Sequence, residues 1–153
     1  MARNDARIGS IDKNGKSIIV EIDESLFFKR KYQSGRVRNG IWYVEGGKMN
    51  SKKAFIIPVE DISENAMYQI IHKHILPSTI CITYEWRAYR TAFSRILTIL
   101  HLTVNHSISF VNSENPLVHT NTIECFFSHT KKFLREKYSV DKDKVYEYLV
   151  FFI

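Results

Sequence analysis

The stretch SIIVEID (Ser17–Asp23) decides the fold prediction, because it is rich in β-branched residues and becomes polar toward its end. It follows the turn signal DKNG (Asp12–Gly15). The pattern predicts a strand on which Glu21 and Asp23 share one face and Glu24 points the other way. An acid at this position either belongs to a site or is solvated at the strand end, and the spacing alone leaves both interpretations open.

Two further short strands follow the first one along the chain. They are expected at Ile41–Val44 and Lys53–Val59, with Gly46-Gly47 and Asn50-Ser51 in the connection between them. Three consecutive short strands indicate an antiparallel meander.

The second half of the chain alternates helices and strands. Ser63 is a helix cap, and Pro77 is expected to end that helix. The later elements are predicted as a strand at Thr79–Tyr84, a helix at Trp86–Leu97, a strand at His101–Val104, and helices from about Thr120 to Tyr138 and at Lys142–Phe151. The order β-β-β-α-β-α-β-α-α predicts an α/β (α+β) fold of the ribonuclease-H-like type, with a mixed five-stranded sheet flanked by helices. We expect a frayed segment at 1–10 and a single domain at 11–153.

Composition limits the classes of function. The 153 residues are 44% hydrophobic, and 22 Lys and Arg against 16 Asp and Glu give a net charge of +6, which favours a polyanionic partner. Two cysteines, Cys81 and Cys125, cannot build a disulfide framework or a cysteine-based zinc ribbon. The start of the chain lacks the apolar core of a secretory signal, so an intracellular protein is expected.

The helix from about Thr120 carries polar residues that could act on DNA. Glu124 and Lys131 are two turns apart on one side, and Asn121 lies one turn before Glu124. A carboxylate for a metal, an amide beside it and a lysine for phosphate would suit phosphoryl transfer. A solvated helix face with spaced charges explains the same pattern.

A basic segment directly follows the strand with Asp23. Its five cations are Lys29, Arg30, Lys31, Arg36 and Arg38. Cations beside an acidic group make sense if a phosphate backbone approaches that group. A solubilising loop is the competing interpretation.

Several segments together resemble a known family, the DDE transposase domain of ISXO-type bacterial insertion sequences and their eukaryotic Merlin relatives. The resemblance runs from about Ile8 to Phe151. The segments that carry it are VEIDESLFFKRKYQSGRVRNGIW (Val20–Trp42), FIIPVEDISEN (Phe55–Asn65), ILPSTICITYEWRAYR (Ile75–Arg90), HLTVNHSISFVN (His101–Asn112) and HTNTIECFFSHTKKFLR (His119–Arg135). It implies a ribonuclease-H-like fold and an ancestral activity of DNA cleavage and strand transfer with Mg²⁺ or Mn²⁺.

The resemblance also implies roles for single residues. The family's first catalytic aspartate corresponds to Asp23 and its third acid to Glu124, which makes these two the expected metal ligands. Asn121 is a neighbouring polar position, and Lys131 matches the basic residue that follows on the same helix. The second aspartate corresponds to Tyr84, where a neutral phenol is a poor ligand for Mg²⁺.

This departure at Tyr84 leaves three functional hypotheses. The first is a decayed or domesticated transposase domain whose catalysis is impaired. The second is an active enzyme in which Glu85 substitutes, although a neighbouring strand residue faces the other way by default. The third is a non-catalytic DNA-binding or interaction module. The expected partners are DNA, contacted mostly at its backbone, and further copies of the chain. The expected location is the nucleus if the host is eukaryotic, and the cytoplasm or nucleoid if it is bacterial.

Overall fold

The computed structural model describes residues 7–27, 41–51, 53–105 and 118–137, and the side chains of the last helix as far as residue 133. Ten elements follow one another in this part of the chain: β1 (Ile8–Gly9), β2 (Ile19–Phe27), β3 (Ile41–Lys48), β4 (Ala54–Val59), α1 (Glu64–His74), β5 (Ile75–Leu76), β6 (Ile80–Tyr84), α2 (Arg87–Ser94), β7 (Leu100–Val104) and α3 (Asn121–Lys137).

The main sheet has five strands in the order β4-β3-β2-β6-β7. The meander β2-β3-β4 is antiparallel, whereas β6 pairs with β2, and β7 with β6, in the parallel sense. Parallel neighbours require crossover connections, and α1 and α2 lie in those connections. The predicted fold class, a mixed five-stranded sheet of the ribonuclease-H-like type, is confirmed.

Apolar side chains cover both faces of the sheet. On one face α1 and α2 pack against β2 and β3, for example through Met67 and Tyr89. On the other face Ile123 and Phe127 of α3 pack against Phe27, Tyr43 and Ile56. The sheet is therefore the middle of three layers, and the face covered by α3 is distinct from the face covered by α1 and α2.

The helix starts follow the sequence signals. Ser63 caps α1, because its side-chain oxygen accepts a hydrogen bond from the backbone N–H of Ala66 at 3.3 Å. The helix ends at His74, before the expected Pro77, since Ile75 and Leu76 leave it to pair with Ile8 and Gly9.

The structure differs from the expected elements in two places. Ile8–Gly9, within the segment expected to be frayed, forms a parallel pair with β5, and Ile8 is buried. Strand β3 continues past the expected end at Val44 as far as Lys48, so the Gly46-Gly47 pair is not a turn. Gly46 is needed in the strand because the Phe55 ring fills the space that a side chain would take. The predicted helix Lys142–Phe151 lies outside the described residues.

Candidate active site on the face covered by helix α3

Strand β2 presents carboxylates to both faces of the sheet, as its alternation predicts. Glu21 faces α3, because its Oε2 accepts a hydrogen bond from the backbone N–H of Ile123 at 2.7 Å. Glu24 faces the α2 side, where it accepts hydrogen bonds from two tyrosines. Asp23, two residues after Glu21, is on the α3 side.

Asp23 is half-buried and lies close to other acidic side chains. Its Oδ1 accepts the backbone N–H of Glu24 at 2.8 Å. Burial and then the charge of Glu24 raise the pKa of Asp23 to about 7, and the charge of Glu124 adds to the rise while that of Lys131 opposes it. Asp23 on β2 and Glu124 on α3 therefore interact through space, although a hundred residues separate them in the sequence.

Glu45 on β3 is a further acid at this place. It is the direct cross-strand partner of Asp23, and its side chain is 0% exposed. Burial and then the charge of Asp23 raise the pKa of Glu45 to about 9. Within the described part of the chain neither of its carboxyl oxygens has a hydrogen-bond partner of good geometry. The Thr130 hydroxyl is close enough to lower the pKa of Glu45, but it donates to the carbonyl of Phe126 at 3.0 Å.

The start of α3 is anchored to the sheet by Glu21. Besides its bond to Ile123, Oε1 of this buried acid lies 3.3 Å from Nδ1 of His119. Burial raises the pKa of Glu21, and the hydrogen bond from Ile123 opposes that rise. Glu124, the residue directly after Ile123, is half-buried, and its Oε1 accepts a hydrogen bond from the Thr120 hydroxyl at 3.2 Å. The anchor thus sets where Glu124 lies relative to β2.

Lys131 supplies positive charge from the same helix. Its Nζ lies 5.3 Å from the centroid of the Phe27 ring and 5.7 Å from that of Phe127. Its charge lowers the pKa of both Asp23 and Glu45 relative to the effect of burial. Glu124 and Lys131 are half-buried beside the apolar stripe of α3 and do not lie on a fully solvated face, whereas Asn121 is exposed.

Tyr84 lies at the end of β6, where alternation from the buried Ile82 places it on the α3 side. Its hydroxyl nevertheless donates to Oε1 of Glu24, while Tyr89 donates to Oε2 at 2.7 Å. The Tyr84 ring stacks on Trp86 with 6.1 Å between centroids. Burial, and then the hydrogen bond to Glu24, raise the pKa of Tyr84, so the phenol stays neutral and its hydroxyl is engaged.

Glu85 lies apart from the other acids. It is exposed, and its two carboxyl oxygens accept hydrogen bonds from Arg90 Nη2 at 2.8 Å and from Asn105 Nδ2 at 3.2 Å. The predicted DNA-binding residues lie outside the described residues: Lys29, Arg30, Lys31, Arg36 and Arg38.

We call Asp23, Glu45 and Glu124 the acidic cluster. Hard carboxylate oxygens suit Mg²⁺ or Mn²⁺, and Asp23 and Glu124 are half-buried, whereas both oxygens of Glu45 are buried away from solvent. In residues 7–27, 41–51, 53–105 and 118–137, however, no group of three or more acid, histidine or cysteine side chains is placed to hold a metal ion. Magnesium usually binds one or two carboxylates and completes its shell with water and substrate phosphates, so an open site is compatible with these residues.

Sequence reasoning missed Glu45 and the anchoring role of Glu21. The signal for Glu45 was a single acid inside the apolar run IWYVEGG (Ile41–Gly47), where an exposed charge is not expected. Assigning the two glycines to a turn hid it. Glu21 was assigned to the correct face, but its partners come from α3, about a hundred residues later.

None of the described helices is both long and apolar enough to cross a membrane. The comparison with curated proteins gave no match. The family model described as the ISXO2-like transposase domain matches residues 10–151, nearly the whole chain. That match covers β2 with Asp23, β3 with Glu45, β6 with Tyr84 and α3 with Glu124. The chain therefore belongs to the ISXO2-like transposase domain family.

Proposed function

We propose that this protein is a transposase-derived domain that binds DNA at the α3 face of its sheet and whose strand cleavage and strand transfer are impaired. The observation that carries the proposal is the docking of α3 on β2, where the backbone N–H of Ile123 donates to Glu21 at 2.7 Å, so that Glu124 belongs to the face on which Asp23 lies. Asp23 and Glu124 are the two positions at which the resemblance places catalytic acids of the family. Their meeting on one face supports a common site.

Asp23 and Glu124 are the residues that would hold Mg²⁺ or Mn²⁺. When bound, such an ion supplies positive charge that stabilises the phosphoryl group in the transition state. The half-burial of both acids excludes part of the surrounding water, which strengthens their interaction with any cation. The anchor between Glu21 and Ile123 holds Glu124 in reach of Asp23.

Lys131 is proposed to contact DNA phosphate. Its ammonium group belongs to the helix that carries Glu124 and acts on Asp23 and Glu45, so a phosphate approaching the acids would meet it. The net charge of +6 and the basic segment at 29–38 favour the same partner. We expect contacts mostly to the backbone, and a homo-oligomer on the DNA, in whichever compartment holds the host's DNA.

Tyr84 is the proposed cause of impaired catalysis. It contributes no negative charge, and its hydroxyl is directed to Glu24 instead of to Asp23. A copy of the domain with this change keeps the fold and the net charge of +6. That combination fits a decayed or domesticated transposase.

The test is nicking of a short duplex DNA in the presence of Mn²⁺. We expect slow nicking by the wild type, faster nicking by Tyr84→Asp by roughly tenfold to a hundredfold, as is usual for changes around a metal site, and none by Asp23→Asn. Glu60→Gln, at an exposed acid, is the matched control and should match the wild type. Nicking that survives Asp23→Asn in both backgrounds contradicts the proposal.

The second candidate is a DNA-binding module without any catalysis, which the engaged hydroxyl of Tyr84 favours. It predicts no nicking by any variant and a DNA affinity that falls steeply with salt, because several phosphate contacts release counterions. An affinity that is insensitive to salt contradicts both candidates. The geometry gives no support to Glu85 as a substitute acid, since its two oxygens are bound by Arg90 and Asn105.

A further inference from the structure

A groove with cationic and amide side chains lies on the α1 side of the sheet, opposite to the side covered by α3. It has a volume of about 800 Å³ and is formed by the second half of α1, the edge strand β4 and the residue before β1. None of the residues that line it is acidic. We call it the α1 groove, and the lining residues that matter here are the apolar Ile57 and Ile70 and the polar Arg7, Gln69, His72 and Lys73.

Charge is unevenly distributed along α1. Its first turn carries Glu64, whose Oε1 lies 3.6 Å from Nε of Arg87, whereas its last turn carries His72 and Lys73 and no acid. Cations in the last turn of a helix stabilise the helix dipole. That effect does not require Arg7, which belongs to a different segment and lines the same groove. The groove therefore gathers more positive charge than the end of α1 needs.

Two arginines at this surface differ from two others on α2. Arg87 and Arg90 each lie beside a carboxylate, at 3.6 and 2.8 Å. Arg7 and Arg95 are exposed, and neither forms an ion pair with the residues that the structure describes. A guanidinium group offers a planar fork of N–H donors that matches two oxygens of a phosphate group. Arg7 and Arg95 are thus free to bind an anion from outside the chain.

Tyr68 connects Arg95 to the α1 groove. The guanidinium carbon of Arg95 lies 3.8 Å from the centroid of the Tyr68 ring, and this ring stacks on His72 with 5.6 Å between centroids. Stacking on an aromatic face orients a guanidinium group and leaves the N–H donors at its edge accessible. The cationic surface therefore continues from the groove across α1 to the end of α2.

We propose that the α1 groove and Arg95 form a second DNA-binding surface, which contacts phosphate groups of the DNA backbone. Guanidinium, ammonium and amide N–H donors suit phosphate oxygens, and the absence of acids from the lining favours a polyanion. Contacts of this kind position DNA without reading its sequence. The inference rests on the proposed function in that its partner is DNA.

The position of the groove determines which part of the DNA it can contact. The α1 groove and the acids near α3 lie on opposite sides of the sheet. The sheet and two helix layers, each about 10–12 Å across, therefore lie between the two surfaces. A phosphate group in the α1 groove belongs to a different DNA segment from the one at the α3 face.

The test is the binding of a short fluorescent duplex DNA to the full chain at several salt concentrations, measured by fluorescence anisotropy. The double variant Arg7→Gln/Lys73→Gln should lower the slope of log affinity against log salt by about two, since each lost phosphate contact removes about 0.9. The double variant Lys13→Gln/Lys16→Gln is the matched control, because it removes the same charge from exposed positions before β2. It should keep the slope of the wild type. An unchanged slope in the groove variant, or an equal loss in the control, overturns the inference.

The variant Lys131→Gln, on the α3 face, separates this inference from the proposed function. If Lys131→Gln lowers the slope and the groove variant does not, the inference is wrong and the proposed function stands. If the groove variant lowers the slope and Lys131→Gln does not, the second surface is supported and the role proposed for Lys131 is wrong. If the wild type does not bind duplex DNA, both are wrong.

Backbone amide signals in proton–nitrogen NMR spectra of the wild type locate the contact without any change of charge. On addition of duplex DNA we expect the signals of Gln69 and Ile70 to shift, while that of Glu64, at the acidic start of the same helix, stays in place. Signals of Gln69 and Ile70 that stay fixed while those of α3 shift contradict the inference. If inorganic phosphate at equal ionic strength shifts them and DNA does not, the groove binds a free anion and the inference is wrong.

Discussion

Two glutamates on neighbouring strands of the same sheet have opposite surroundings. Glu24, on the α2 side, accepts hydrogen bonds from the hydroxyls of Tyr84 and Tyr89, one on each carboxyl oxygen. Glu45, on the α3 side, is fully buried and has no hydrogen-bond partner among the described residues. The two acids therefore differ in whether hydrogen bonds compensate for their burial. Glu24 is part of the structure that holds the sheet to α2, whereas the burial of Glu45 is not compensated by such hydrogen bonds.

The largest expected effect comes from a substitution at Glu24, the acid whose two carboxyl oxygens both accept hydrogen bonds. Glu24→Gln removes the charge that two phenols bind and leaves the fully buried Tyr89 with a poorer acceptor. We expect it to lower the free energy of unfolding by about 3 kcal/mol, since hydrogen bonds to charged groups are the stronger kind. Chemical denaturation at pH 7 measures this loss. An unchanged midpoint would show that the two phenols do not depend on Glu24.

The substitution Glu45→Gln is expected to raise the free energy of unfolding, whereas Glu24→Gln lowers it. Glu45→Gln removes an acid that must take up a proton when the protein folds at pH 8, and this gain outweighs the cost of burying the amide, so the metal-free protein should be more stable by about 2 kcal/mol. Denaturation in the presence of a chelator measures the gain. A loss of stability equal to that of Glu24→Gln would mean that Glu45 is as well satisfied as Glu24.

The pH dependence of stability sharpens this contrast. The pKa of Glu45 is raised from 4.5 to about 9 in the folded protein, so the folded state holds a proton that the unfolded state releases. The stability from this group is complete below pH 4.5 and is lost as the pH rises toward 9, by at most about 1.4 kcal/mol per pH unit. In Glu45→Gln this part of the slope should disappear. Wild type and variant with parallel stability profiles between pH 5 and 9 would contradict the assignment.

The smallest effect is expected at Tyr84. Tyr84→Phe removes one donor to Glu24 but keeps the ring on Trp86 and the second donor on Tyr89. We expect a loss of about 1 kcal/mol in the free energy of unfolding, the usual net value of one hydrogen bond. A loss as large as that of Glu24→Gln would mean that Tyr84 alone satisfies Glu24.

The contrast also shows what the sequence could predict. The face of Asp23 followed from the period of two residues along a strand, and the helix start from the cap at Ser63. Both are local rules, and the fold class followed from the order of such elements. The departure at Tyr84 was visible as a residue type before any coordinates.

The placement of Glu45 and the direction of the Tyr84 hydroxyl could not be predicted without the tertiary structure. Gly46-Gly47 is typical of a turn, but the Phe55 ring from β4 makes glycine necessary within β3, and this packing keeps Glu45 in the sheet. The direction of the Tyr84 hydroxyl depends on Glu24 across the neighbouring strand. The helix pattern placed Glu124 and Lys131 opposite the buried stripe, whereas docking of α3 through Glu21 makes them half-buried.

Asp23 and Glu124 are proposed to share one site, and a titration of the Asp23 carboxyl by carbon-13 NMR tests this most directly. We predict a midpoint near pH 7 in the wild type, a lower midpoint in Glu124→Gln because a neighbouring negative charge is removed, and no change in the control Glu60→Gln. A midpoint close to the ordinary value of 3.8 that does not respond to Glu124→Gln would contradict the account.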